Sequence, residues 1–156
     1  MSLKIIRGDL LDLAAEGRFD VIAHGSNCFC TMGSGVAGQI KKRFPAAYEA
    51  DLATRRGDQS KLGICSSATV ELAGGNKLVI LNAYTQYRYG TDRQHADYAA
   101  IRSCMRSIKK QYFGSRIGLP RIGAGLAGGD WNVIVKIIEE ELAGEDAALV
   151  EFSGAS

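Results

Sequence analysis

The sequence predicts a three-layer α/β/α sandwich on a mixed central sheet, as a single α/β domain over residues 1–156. Three observations carry that expectation. Short apolar runs of strand length alternate with segments of helical periodicity, the pattern of parallel strands joined by crossover helices. One pair of runs is joined through Gly74-Gly75-Asn76, a hairpin turn that adds an antiparallel element. No linker, low-complexity tract or long repeat divides the 156 residues, a length that buries a core without disulfides or metal.

Leu3 to Ile6 and Val21 to Ala23 read as the first strands. From Val36 the spacing becomes helical, with Val36, Ala37, Ile40 and Phe44 on one side and Lys41, Lys42 and Arg43 on a solvated one. Pro45 is expected to interrupt, with another short helix over Ala46 to Arg55. Ile64 to Leu72 and Lys77 to Tyr84 are the hairpin strands, followed by a polar loop towards Gln94. Ala96 to Tyr112 sets Tyr98, Ile101, Met105 and Ile108 along one helical stripe. Arg116 to Leu119 is a short strand, Trp131 to Leu142 a helix, and Ala147 to Phe152 the closing strand.

Composition narrows the classes. Hydrophobic content of 46%, charged content of 23% and two prolines describe a globular chain rather than a disordered one. A net charge of +2 is too small to indicate nucleic acid as a ligand, yet it does not repel a phosphorylated one. No apolar run reaches membrane length, and Lys4, Arg7, Asp9 and Asp12 break the first turn of sequence, so no signal-peptide core is expected. The expectation is a cytoplasmic protein with Cys28, Cys30, Cys65 and Cys104 as thiols. His24-x3-Cys28-x-Cys30 lacks a fourth ligand at a familiar spacing, so neither metal nor cofactor is expected.

The pattern G-x-G-x-x-G occurs twice, as GSGVAG over Gly33 to Gly38 and as GAGLAG over Gly123 to Gly128. Neither is a good dinucleotide fingerprint. The first begins well beyond the end of its strand, and the acids that follow it, Glu49 and Asp51, fall in a helical stretch. A Walker loop fails as well, because Gln39-Ile40 follows Gly38. Taken together the two loops say more. In an open α/β sheet ligands bind beyond the carboxyl ends of the strands, and two glycine loops there grip an anion such as a diphosphate from both sides.

Gly8-Asp9-Leu10, VIAHGSNCFCTMGSGVAG, NAYTQ and PRIGAGLAGGDW, in this order, resemble the macro domain family of ADP-ribose binders over nearly the whole chain. The likeness is greatest to the branch of ADP-ribose 1''-phosphate phosphatases and terminal ADP-ribose hydrolases. The resemblance implies that Asp9, beside Leu10, accepts a hydrogen bond from the adenine amino group, and that Asn27 contacts the distal ribose. It implies that Gly33, Ser34, Gly35 and Val36 bracket the diphosphate from one side, and Ile122, Gly123, Ala124, Gly125 and Leu126 from the other. Phe152 is the aromatic expected to stack on adenine, with a place in the core as the alternative.

Departures from the family bear on mechanism. Hydrolases that resemble GGGVDG carry an acid where this chain has Ala37, and another branch uses a Thr-Lys pair where this chain has Thr85-Gln86, an amide that cannot act as nucleophile. A thiol phosphatase needs Arg six residues beyond its Cys, and Ser34, Val36, Glu71 and Lys110 stand there instead. What remains is direct attack by water. His24 is the candidate to protonate a leaving oxygen or orient water, and Asp130 the candidate base, with helix capping as its ordinary role. The resemblance thus implies removal of the 1''-phosphate from ADP-ribose 1''-phosphate. The alternatives are hydrolysis of ADP-ribosyl esters, including O-acetyl-ADP-ribose and ADP-ribosylated protein or DNA, and a reader of ADP-ribose without turnover. Expected partners are ADP-ribose, its 1''-phosphate or acyl derivatives and ADP-ribosylated macromolecules, with no membrane.

Overall fold

The computed structural model describes residues 3–90, 92–125 and 127–152. β1 (Lys4–Gly8) leads through α1 (Leu10–Ala15) to β2 (Val21–Ser26), α2 (Gly35–Arg43) and α3 (Pro45–Leu52). A 3-10 turn (Gln59–Lys61) precedes the hairpin β3 (Cys65–Glu71) and β4 (Lys77–Tyr84). Then come α4 (Tyr98–Gln111), β5 (Arg116–Leu119), α5 (Trp131–Glu141) and β6 (Asp146–Phe152). The strands form one sheet in the order β1-β6-β5-β2-β4-β3. Its neighbouring pairs are parallel except for the β3–β4 hairpin, so the mixed α/β/α sandwich is the observed fold.

Alternation along the strands fills both layers. Val21 and Ala23 of β2 and Leu81 and Ala83 of β4 pack with Ile101, Met105, Ile134 and Ile138 of α4 and α5. Ile22, Leu78 and Ile80 point the other way, to Leu10, Leu11, Ile40 and Ala47 of α1, α2 and α3. The hairpin closes as its turn residues require, with Leu72 N donating to Asn76 O at 2.7 Å.

Two elements differ from expectation. α1 has six residues, too few to show a period, and Asp9 starts it: Oδ1 accepts from Leu11 N at 2.9 Å and Asp12 N at 3.0 Å. Pro45 interrupts as expected, with α2 ending at Arg43, but it belongs to the next helix rather than preceding it: it opens α3, where a missing N–H costs nothing because first-turn donors have no helical acceptor. No helix of the described residues is long and apolar enough to cross a membrane.

Candidate functional site

A cavity of about 1110 Å³ opens beyond the carboxyl ends of the parallel strands. That is slightly above the ~300–1,000 Å³ usual for small-molecule sites. Five of the strands contribute: Asp9 and Leu10 after β1, Asn27 and Gly33 to Ala37 after β2, Gln86 and Tyr89 after β4, Arg121 to Gly125 after β5, and Phe152 on β6. The residues singled out from the sequence therefore meet at one place, with two exceptions. Leu126 lies outside the described residues, and Asp130 is absent from the lining although Gly129 and Trp131 on either side belong to it.

The two glycine loops share a property. Among the described residues, the N–H groups of Gly33 to Ala37 and those of Gly123 and Gly125 donate to no protein acceptor. Ser34 caps α2 by position only, with no side-chain hydrogen bond, so the positive end of that helix is left to a ligand. Gly35 and Gly123 hold left-handed backbone at φ +60° and +76°. At Gly33 and Gly125, by contrast, a Cβ would meet nothing within 4 Å, so absent side chains there leave space rather than relieve strain. Arg121 adds a full positive charge, its guanidinium 5.0 Å from the centre of the Trp131 ring.

At the opposite end, Asp9 spends Oδ1 on its cap and has a half-exposed carboxylate in the lining. Phe152 pairs in register with Gly8 and is 69% exposed, which excludes the core alternative. Asn27 is buried and organises its own loop: Nδ2 donates to Thr31 Oγ1 at 2.7 Å and to Thr31 O at 3.2 Å, while Oδ1 accepts from Phe29 N at 2.8 Å.

His24 departs from the expected proton donor. It is 1% exposed, and burial pulls its pKa down to about 4 against the opposing hydrogen bond to Asn82. The imidazole is neutral near pH 7. Asn82 Nδ2 donates to Ala47 O at 2.9 Å, which turns Oδ1 towards His24 Nε2 at 2.7 Å. Nε2 therefore carries the proton and Nδ1 is an acceptor, with no partner among the described residues. Cys28 and Cys30 bond to backbone carbonyls of Gln86 and Asp51, so the H-x3-C-x-C trio does not converge on a metal position. Asp130 caps α5, Oδ1 accepting from Asn132 N at 2.9 Å, as the ordinary reading of an Asp before a helix requires.

Thr31, Gln39, Tyr89 and Trp131 also line the cavity and were not foreseen. Trp131 and Arg121 stand inside the quoted glycine motif. Thr31 and Tyr89 carry no pattern of their own, and only the fold brings them to the cavity.

The macro domain family profile matches residues 23–138. The chain belongs to the macro domain family. A relative of this macro domain, an uncharacterized 17.5 kDa protein of Enterobacteria phage T4, is 42% identical over 89% of each chain. The DNA ADP-ribosyl glycohydrolase of Mycobacterium tuberculosis is 27% identical over 96% of this chain, which spans 42% of that protein's length. The macrodomain of Thermus aquaticus DarG is 26% identical, with a TM-score of 0.72 over 98% of both chains. The relatives with a named activity are thus of the DNA ADP-ribosyl glycohydrolase kind, and the likeness to 1''-phosphate phosphatases in particular is not what these comparisons bring out.

Proposed function

We propose that the cavity binds ADP-ribose and that the protein hydrolyses ADP-ribose conjugates by direct attack of water. The observation that carries this reading is the pair of glycine loops whose unpaired N–H groups line a single cavity, a site made for a diphosphate. Asp9 accepts the adenine amino group through Oδ2 while Oδ1 keeps its cap, and Phe152 stacks on the base. Gly33 to Val36 and Ile122 to Gly125 hold the diphosphate, with Leu126 assigned beside them. Asn27 reaches the distal ribose through the second lone pair of Oδ1.

At the reacting end Gln86 occupies the lining and supplies no nucleophile, so loops and helix dipole orient water and stabilise developing charge. Asp130 is assigned the base role through Oδ2, which accepts no bond among the described residues. His24 is a positioning residue that anchors the end of β2 beneath the cavity through its bond to Asn82. The mycobacterial relatives support an ADP-ribosyl bond as the one cleaved. Release of the 1''-phosphate is the second reading, favoured by Gln86 where covalent attack on the sugar would need an amine.

Incubation with ADP-ribosylated oligonucleotide and with ADP-ribose 1''-phosphate separates the two. Free ADP-ribose from the first supports the main reading, and inorganic phosphate from the second supports the other. Neither product, with calorimetric ADP-ribose binding intact, refutes hydrolysis and leaves a binding module. Absence of binding refutes the cavity assignment.

A further inference from the structure

Three side-chain amides line the cavity, those of Asn27, Gln39 and Gln86. Two of them are bonded to the protein itself. Asn27 holds its own loop through Thr31 and Phe29, and Gln86 Nε2 donates to Arg88 O at 2.8 Å. Gln39 is exposed, and its carboxamide has no hydrogen-bond partner among the described residues.

The place of Gln39 along α2 fixes what it faces. Gly35, four residues before it, opens the helix beside the free N–H groups of the first glycine loop. Arg43, four residues after it and so on the same face, reaches α1: Nη1 donates to Asp12 Oδ1 at 2.6 Å and lies 3.9 Å from Asp9 Oδ1. Gln39 therefore lies between the cradle of the diphosphate and Asp9, on lining shared with Leu11 and Val36. That stretch belongs to the adenosine, because Asp9 takes the base and the glycine loops take the phosphates.

A neutral amide adds no charge to the grip on the phosphates. It presents a donor and an acceptor side by side, the complement of N7 and the amino group of adenine, which it pairs bidentately. Asp9 Oδ2 takes one hydrogen of that amino group and leaves the other, beside N7, without a partner. We infer that Gln39 is a specificity-determining residue that reads this edge of adenine, Nε2 donating to N7 and Oε1 accepting from the amino group. Guanine and hypoxanthine carry an oxygen there beside N7 and would set it against Oε1. The inference rests on the ADP-ribose reading of the cavity and extends it to the choice of base.

The test is titration calorimetry of ADP-ribose and of its 7-deaza-adenine analogue, which replaces N7 by C–H and keeps the amino group, riboses and diphosphate. Wild type is compared with Q39A and with Q39M, which keeps the length of the side chain without its amide. Position 39 is exposed, and alanine and methionine are helix formers as good as glutamine or better, so melting is expected at or above that of wild type. Wild type is expected to bind ADP-ribose about fivefold or more tightly than the analogue. Both variants are expected to bind ADP-ribose roughly 5- to 150-fold more weakly than wild type, the loss of one bidentate base contact, and to hold the two ligands within about twofold of each other. Variants that bind ADP-ribose as tightly as wild type overturn the inference. So does an equal loss for both ligands, which would put the amide on the ribose instead of the base. A wild type that does not bind ADP-ribose refutes the cavity reading itself, so the two fail separately.

Discussion

Gly33→Ala separates ligand binding from folding. A Cβ at Gly33 meets no heavy atom within 4 Å, and its φ is outside the left-handed range. Alanine is unstrained there, and the reduced freedom of the unfolded chain stabilises the fold by about 0.4–1 kcal/mol. At about 2–4 °C per kcal/mol for a domain of this size, melting rises by roughly 1–4 °C. The same methyl enters the space beside the unpaired N–H groups of residues 33–37. Losing one charge-assisted bond to the diphosphate costs about 1.5–3 kcal/mol, an affinity loss of roughly 10- to 150-fold.

Gly129→Ala should do the reverse to stability. Its Cβ would lie 2.6 Å from Gly123 O and 2.7 Å from Ile134 Cδ1, backbone on one side and packed core on the other. Overpacking of that kind costs about 1–3 kcal/mol, and melting falls by roughly 2–12 °C. Thermal denaturation with and without ADP-ribose, beside titration calorimetry, reads both quantities. The reasoning fails if Gly33→Ala melts below wild type, or if it binds ADP-ribose as tightly.

Three further changes probe single residues. His24 has a folded pKa of about 4, below its ordinary 6.5, so its contribution is complete above pH 6.5 and is lost as pH falls towards 4. The loss approaches about 1.4 kcal/mol per pH unit; His24→Gln keeps a donor for Asn82 and should flatten urea stability between pH 7 and about pH 4.5, whereas an unchanged slope would locate the titration elsewhere. Phe152→Ala removes an exposed ring, so stability should stay within about 0.5 kcal/mol while ADP-ribose affinity drops by about 1–3 kcal/mol; calorimetry showing equal affinity would remove Phe152 from the adenine site. Asp130→Asn keeps the cap, since Asn serves that position as well as Asp, and should abolish turnover with melting unchanged; retained turnover would end its role as base.

The sheet was legible because its strands obey a simple rule. Val21-Ile22-Ala23 and Leu78 to Leu81 are apolar on both faces, as strands covered on both sides must be, and the hairpin turn announces the antiparallel pair. α1 was not legible as a helix, because six residues cannot display a 3.6-residue period, although Asp9 reads as a cap for the turn that follows it. The glycine loops were legible as a pair, since spacing and open backbone both survive in the sequence. His24 was not: its position at the end of β2 is readable, but its neutrality depends on Asn82 and Ala47, which lie far away along the chain. Asp130 shows the same limit from the other side. Its capping bond is local and readable, whereas its absence from the cavity lining between Gly129 and Trp131 is not.

The partners that set His24 also reach the loop after β2. Asn82 Nδ2 donates to Ser66 Oγ at 3.0 Å, Ser66 Oγ lies 2.8 Å from Tyr84 Oη, and Tyr84 donates to Asp51 Oδ1 at 2.7 Å. Asp51 is buried; burial raises its pKa, while Tyr84 and the charge of Lys61 oppose the rise. Lys61 in turn donates to Thr54 at 2.8 Å, and Thr54 contacts Cys30 Sγ at 3.5 Å. One end of this chain is therefore the imidazole at the cavity floor, and the other is the loop carrying Asn27, Phe29 and Thr31. A buried polar network is stable only when its members are satisfied together. Loss of any one partner should loosen that loop. The polar residues of this layer thus do what an apolar core cannot, because directional bonds from Asn82 to Ala47 and from Tyr84 to Asp51 fix α3 against β4.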